Sequence, residues 1–198
     1  MNAMKETIIA MLALSCLAGG QNKESATPYT IQRDVLGESV ASFVANNPSC
    51  KPRPGSSFDS ENITIDNTQT CTVMQTTYAG MPVIGRTVDF YQGRLYGVSL
   101  LAPTSECKQF DVLSSLKQKF GQPKSTEIVD GKEMTPAHLG GADLKFWQNG
   151  VSTISFQESI GTLDACTISF QLDAMWWKVW QLLQEKEAKK QDLNKKDM

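Results

Sequence analysis

Apolar residues recur with two different periods along this chain, and the switches between them outline a fold. Val35, Leu36, Val40, Phe43 and Val44 fall on one stripe of a helix over residues 34–46, with Asp34 placed to cap it and Asn46-Asn47-Pro48 to stop it. Residues 70–78 and 82–91 then alternate like strands, and Gln92-Gly93 reads as a hairpin turn into a strand over 95–101. Helical spacing returns with Phe110, Leu113, Leu116 and Phe120, closed by Gly121-Gln122-Pro123. A strand at 127–129 and a loop over 131–142 lead to strands at 144–148 and 151–157. These last two meet at Asn149-Gly150, a pair that accepts the positive φ angles of a type I′ turn. A strand over 165–172 and a helix from near Asp173 past Leu183, fraying into a charged tail, complete the pattern.

Strands joined by short turns and interrupted by single helices predict an α+β protein: a mainly antiparallel β-sheet with helices on one face. Phe90-Tyr91-Gln92-Gly93 and Phe146-Trp147-Gln148-Asn149-Gly150 both sit at hairpin tips, and each hairpin is followed by a helix, which suggests two related sheet-plus-helix units. The expected organisation is an export signal over 1–20, a polar linker over 21–31, a single domain over 32–190 and a charged tail over 191–198.

The signal rests on Lys5, an apolar or small run over 7–18, and an abrupt polar turn after Gly19-Gly20. That run is shorter than the ~20 residues that span a bilayer. Two processing routes compete. Ala13-Leu14-Ser15-Cys16 resembles a lipobox, which would leave a lipid on Cys16; Ala18-Gly19-Gly20 is a small-x-small site that would release a soluble chain from Gln21. Either route leads to the periplasm, with the membrane touched only through a lipid anchor on Cys16. In that oxidising setting the four remaining cysteines, Cys50, Cys71, Cys107 and Cys166, read as two disulfides. Of the three pairings, Cys50–Cys71 with Cys107–Cys166 is expected, because each joins the surroundings of a helix to a nearby strand.

Candidate chemistry is sparse. An apolar content of 40% and charged content of 20% are those of an ordinary globular domain. The net charge of −2 offers nothing to draw nucleic acid. His138 is the single histidine and no C-x-x-C occurs, so metal and Cys-His sites lack ligands. No phosphate loop, dinucleotide fingerprint or H-E-x-x-H helix is present, and neither cofactor nor catalytic residue is expected. Asp143, Glu158 and Asp164 flank strand ends, where a carboxylate pair could serve an enzyme acting on cell-wall glycan. In the last helix, Trp176, Val179, Trp180 and Leu183 share the face expected to be buried. Trp177 lies ~100° away and becomes the candidate binding anchor, an exposed aromatic of the kind that dominates interfaces.

The run Lys119-Phe120-Gly121-Gln122-Pro123, with the signal-like N-terminus and the Trp147-x-Asn149-Gly150 hairpin, resembles a loose group of exported bacterial proteins in which a helix ends in K-[F/Y]-G-x-P before a strand. The alternation of antiparallel strands and single helices also looks like the tandem units of secreted β-lactamase-inhibitor-like domains. These resemblances imply a fold and bring no catalytic residues with them. The combined expectation is an exported, non-enzymatic envelope protein that binds another protein in an inhibitor or assembly role, with the glycan-directed enzyme as the alternative.

Overall fold

The computed structural model describes residues 26–31, 34–57, 63–124, 127–129, 132–134, 144–158 and 164–196. The protein is α+β. Its centre is an antiparallel sheet of seven strands: β3 (Arg53–Pro54), β4 (Thr68–Tyr78), β5 (Met81–Tyr91), β6 (Arg94–Pro103), β9 (Leu144–Gln148), β10 (Ser152–Gln157) and β11 (Ala165–Leu172). Across the sheet they run β3-β4-β5-β6-β11-β10-β9. Two small hairpins stand apart, β1 (Thr30–Ile31) with β2 (Asp34–Val35) and β7 (Glu127–Val129) with β8 (Lys132–Met134).

This order is two meanders, β4-β5-β6 and β9-β10-β11, joined where their last strands pair with Ser169 opposite Ser99. Each meander is followed by helix: α2 (Thr104–Gln109) and α3 (Val112–Phe120) after β6, and α4 (Asp173–Lys196) after β11. Two sheet-plus-helix units are therefore present as topology. The aromatic hairpin echo does not follow that symmetry, since it matches β5-β6 to β9-β10, whereas β10-β11 is the equivalent hairpin.

Turn chemistry sets the register. Ala79-Gly80 and Gln92-Gly93 are two-residue connections with both φ values positive (53° and 83°; 50° and 73°), as type I′ turns require. The β9-β10 hairpin closes differently. Gly150 takes positive φ, while the Asn149 side-chain oxygen accepts from the backbone N–H groups of Val151 and Ser152 at 3.1 and 2.9 Å.

The first helix also starts later than its stripe suggests. Asp34 lies in β2, Gly37 (φ 91°) turns the chain, and Ser39 caps α1 (Val40–Asn46) by accepting from the N–H of Ser42. The second helical stripe is broken into α2 and α3 at Asp111, a non-glycine residue in the left-handed region (φ 44°).

Strand alternation divides the packing between the two faces. Val88, Phe90, Leu95, Val98 and Leu100 point to one face, where Phe43 of α1, Cys107 of α2 and Val112 and Leu116 of α3 cover them. Tyr91 and Tyr96 point the other way, to Ile63, Ile65 and the α4 residues Val179 and Leu183. A β-bulge makes this possible: Asp89 pairs with Gly97 and Phe90 with Leu95, leaving Tyr96 as the extra residue. The expectation of helices on one face holds for α1, α2 and α3, and α4 adds a cover on the other.

The cysteines pair as expected. Cys50–Cys71 ties the segment after α1 to β4, and Cys107–Cys166 ties α2 to β11, with Cα separations of 5.6 and 6.6 Å. Two such bonds suit an oxidising compartment. The segment before β1 packs on the β9-β10 turn, where the Thr27 carbonyl accepts from Asn149 and the Tyr29 N–H donates to Ser152, each at 2.8 Å. Helix α4 runs on to Lys196. No helix among the described residues is long and apolar enough to cross a membrane.

Candidate functional site

Helix α4 carries the residue type that sequence reasoning singled out. Its stripe Val179 and Leu183 is buried, one turn apart, against Tyr91 and Tyr96. Trp176, Trp177 and Trp180 are all half-buried. Trp176 stacks on Trp180 with ring centres 5.8 Å apart, and Trp177 meets Trp176 edge-on at 4.7 Å. Trp177 thus keeps the partial exposure expected of it, but Trp176 and Trp180 are not the core residues the stripe predicts. For Trp176 the physical reason lies opposite it. Beneath Trp176 the sheet presents Asp89, Gly97, Ser99, Ser155 and Ser169, which leave a polar cavity of about 240 Å³ instead of an apolar bed.

That cavity is itself ordered by hydrogen bonds. The buried Asp89 carboxylate accepts from the backbone N–H and the hydroxyl of Ser57 at 2.9 and 2.6 Å. The Ser99 and Ser169 hydroxyls lie 3.0 Å apart across the β6-β11 seam, and the Tyr96 hydroxyl is 3.0 Å from that of Ser56. Asp89, Ser57, Ser99 and Ser169 thus have protein partners already, so the arrangement reads as a supported wall beside the tryptophans. Asp173, at the start of α4, has its carboxyl pushed above the usual range by burial, against the opposing pull of the neighbouring Thr153 and Gln171 side chains.

The opposite face holds a second concentration of charge and cavity. Arg86 on β5 pairs with Asp34, donates to the Asn47 side-chain oxygen at 2.9 Å, and sits 5.2 and 5.4 Å from the ring centres of Phe43 and Tyr78. Burial pushes the Asp34 carboxyl above its usual range, outweighing the opposing pull of Arg86. The Tyr78 hydroxyl is also pushed up, by burial first and by the Asp34 charge second. These residues neutralise and enclose one another, the arrangement of a structural ion cluster. Beside Tyr78, a cleft of about 340 Å³ opens between α3 and the sheet.

Two of the carboxylate candidates meet through their backbones at Thr104. The backbone carbonyls of Glu158 and Asp164 accept from the hydroxyl and the N–H of Thr104 at 3.3 Å, which fixes the start of α2. Cys16, His138 and Asp143 lie outside the described residues. Among the described residues no group of three or more His, Cys, Asp or Glu could hold a metal. The K-F-G-Q-P helix stop and the Trp147 hairpin prove to be one structural unit. The buried Trp147 donates its indole N–H to the Gly121 carbonyl at 2.7 Å, and the Lys124 N–H donates to Phe146. Sequence reasoning missed the Asp34–Arg86 cluster, whose members lie 52 positions apart with no local pattern linking them.

Comparison with protein-family models, curated proteins and solved structures returns no match for this chain.

Proposed function

We propose that this chain is a non-enzymatic binding protein of the bacterial envelope, exported by its N-terminal segment, that holds a protein partner through the tryptophan face of α4. One observation carries the reading: three tryptophans in mutual contact on a single helix, each half-buried, flanked by the half-buried Met175 and Leu182. Met175, Trp176, Trp180 and Leu182 each pack part of their surface against the Val179 and Leu183 cluster, whereas Trp177 is not among the residues packed on it and keeps a large apolar ring half in solvent. Trp is also the residue most enriched where interface energy concentrates. Trp177 is the anchor, with the Trp176–Trp180 stack holding it from one side. The disulfides support the exported setting.

The test compares wild-type and Trp177→Ala protein as bait in a crosslinked envelope extract. A specific partner retained by wild type and lost with Trp177→Ala supports the proposal. Equal capture by both, with both folded, rejects Trp177 as anchor. Peptidoglycan turnover that disappears in the Glu158→Ala and Asp164→Ala variants would replace the binding role with the glycan-directed enzyme.

A further inference from the structure

We propose that the cleft between α3 and the sheet binds a linear acyl chain whose anionic head pairs with Lys119. Its floor is Leu100, Ile168 and Phe170 from the two central strands, closed by Leu116 from α3, all buried. At about 340 Å³ it lies within the range of small-molecule pockets and exceeds twice the ~150 Å³ apolar cavity that suffices to bind benzene. The helical part of the lining runs from Val112 to Phe120, which at 1.5 Å per residue is about 12 Å. A narrow apolar cleft of that length suits an extended hydrocarbon chain laid along α3.

Two features mark the mouth. Lys119 is the single charged residue among the described residues of the lining, so an amphiphile with a negative head is complementary to it and one with a positive head is repelled. Phe110 also lines the cleft yet is 39% exposed, one of few large apolar side chains left in solvent. The helical stripe would have buried it with Leu113 and Leu116; the left-handed turn at Asp111 instead rotates it to the rim. Such a conformation is unfavourable for a non-glycine residue and is met where the surrounding structure over-determines it. An apolar ring at the entrance, an apolar floor and one cation are together the complement of a single-chain anionic amphiphile.

The protein needs only its folded, oxidised form for the test, with laurate and dodecanol as probes below their aggregation limits. Calorimetric titration should show laurate binding to wild type. Ser115→Trp, at an exposed position of the lining, should weaken it at least tenfold without changing the far-ultraviolet dichroism or the melting temperature. Lys119→Glu should weaken laurate about fivefold and change dodecanol less than twofold. Trp177→Ala should bind laurate as wild type does, whatever becomes of partner capture. Failure of folded wild type to bind laurate, or full affinity in Ser115→Trp, overturns the proposal. Equal losses for laurate and dodecanol in Lys119→Glu overturn the anionic head. Sedimentation with phosphatidylglycerol vesicles that Ser115→Trp abolishes would make the ligand a two-chain lipid and overturn the single chain.

Discussion

Removing either half of the Asp34–Arg86 pair should destabilise the protein, and the two removals should differ in their response to pH. Asp34 is buried and Arg86 largely so, and the guanidinium keeps Asn47, Phe43 and Tyr78 as its remaining neighbours, with its Nε lacking an acceptor among the described residues. Asp34→Ala leaves that cation desolvated and unpaired, and arginine cannot shed its proton. The cost should be about 3–5 kcal/mol, the range for breaking a buried pair. For a domain of this size that is a fall in Tm of roughly 10 °C. Arg86→Met leaves a carboxyl instead, and a carboxyl can protonate. Burial already holds Asp34 above its usual range, and losing Arg86 pushes it further up. A raised folded-state value means the folded protein holds the proton more tightly, so stability is gained as pH falls and lost as it rises. The Arg86→Met penalty should therefore be larger at pH 7 than at pH 4, whereas the Asp34→Ala penalty should change less. The double variant Asp34→Ala/Arg86→Met should cost less than the two single losses added. Urea unfolding at both pH values provides the free energies. An Asp34→Ala cost under about 1 kcal/mol, or an Arg86→Met penalty independent of pH, would refute this account of the cluster.

Three further outcomes are expected. Trp147→Ala should cost about 3–5 kcal/mol by emptying a large aromatic core site, and Trp147→Phe less but measurably, because Gly121 then loses its donor; thermal melts rank the two. Non-reducing peptide mapping should yield Cys50–Cys71 and Cys107–Cys166, and the Cys107→Ala/Cys166→Ala protein should lose about 4 kcal/mol against about 3 for the other pair, since its loop of 59 residues exceeds 21. Asp173→Asn should raise Tm at pH 7 and lose that advantage near pH 4, because burial raises the Asp173 carboxyl and the charged form alone carries the penalty. An advantage that persists at low pH would show that the charge is not its origin.

What the sequence made legible is what is local. The strand runs, the hairpin at Gln92-Gly93 and the helix stop at Gly121-Gln122-Pro123 are each written in adjacent residues, and each forms. The cysteine pairing was readable because each partner sits beside an element already placed. Non-local pairing was not. Nothing near Asp34 says that its partner is Arg86, so the residue looked like a cap. Helical periodicity placed Phe110 with Leu113 because it assumes an unbroken helix, and the Asp111 turn breaks it. The same assumption buried Trp176 and Trp180. A 3.6-residue period identifies the stripe that faces the sheet but not the sheet's side chains beneath it, and here those are serines and Gly97.

The central claim is that Trp177 of α4 serves to bind and not to hold the fold. Thermal melts of Trp177→Ala and Leu183→Ala, run beside partner capture by the same proteins, test it most directly. Leu183 is buried, so Leu183→Ala should cost about 2–5 kcal/mol. Trp177→Ala should melt close to wild type and lose the partner. A Trp177→Ala protein that melts as low as Leu183→Ala, or that keeps the partner, would contradict the claim.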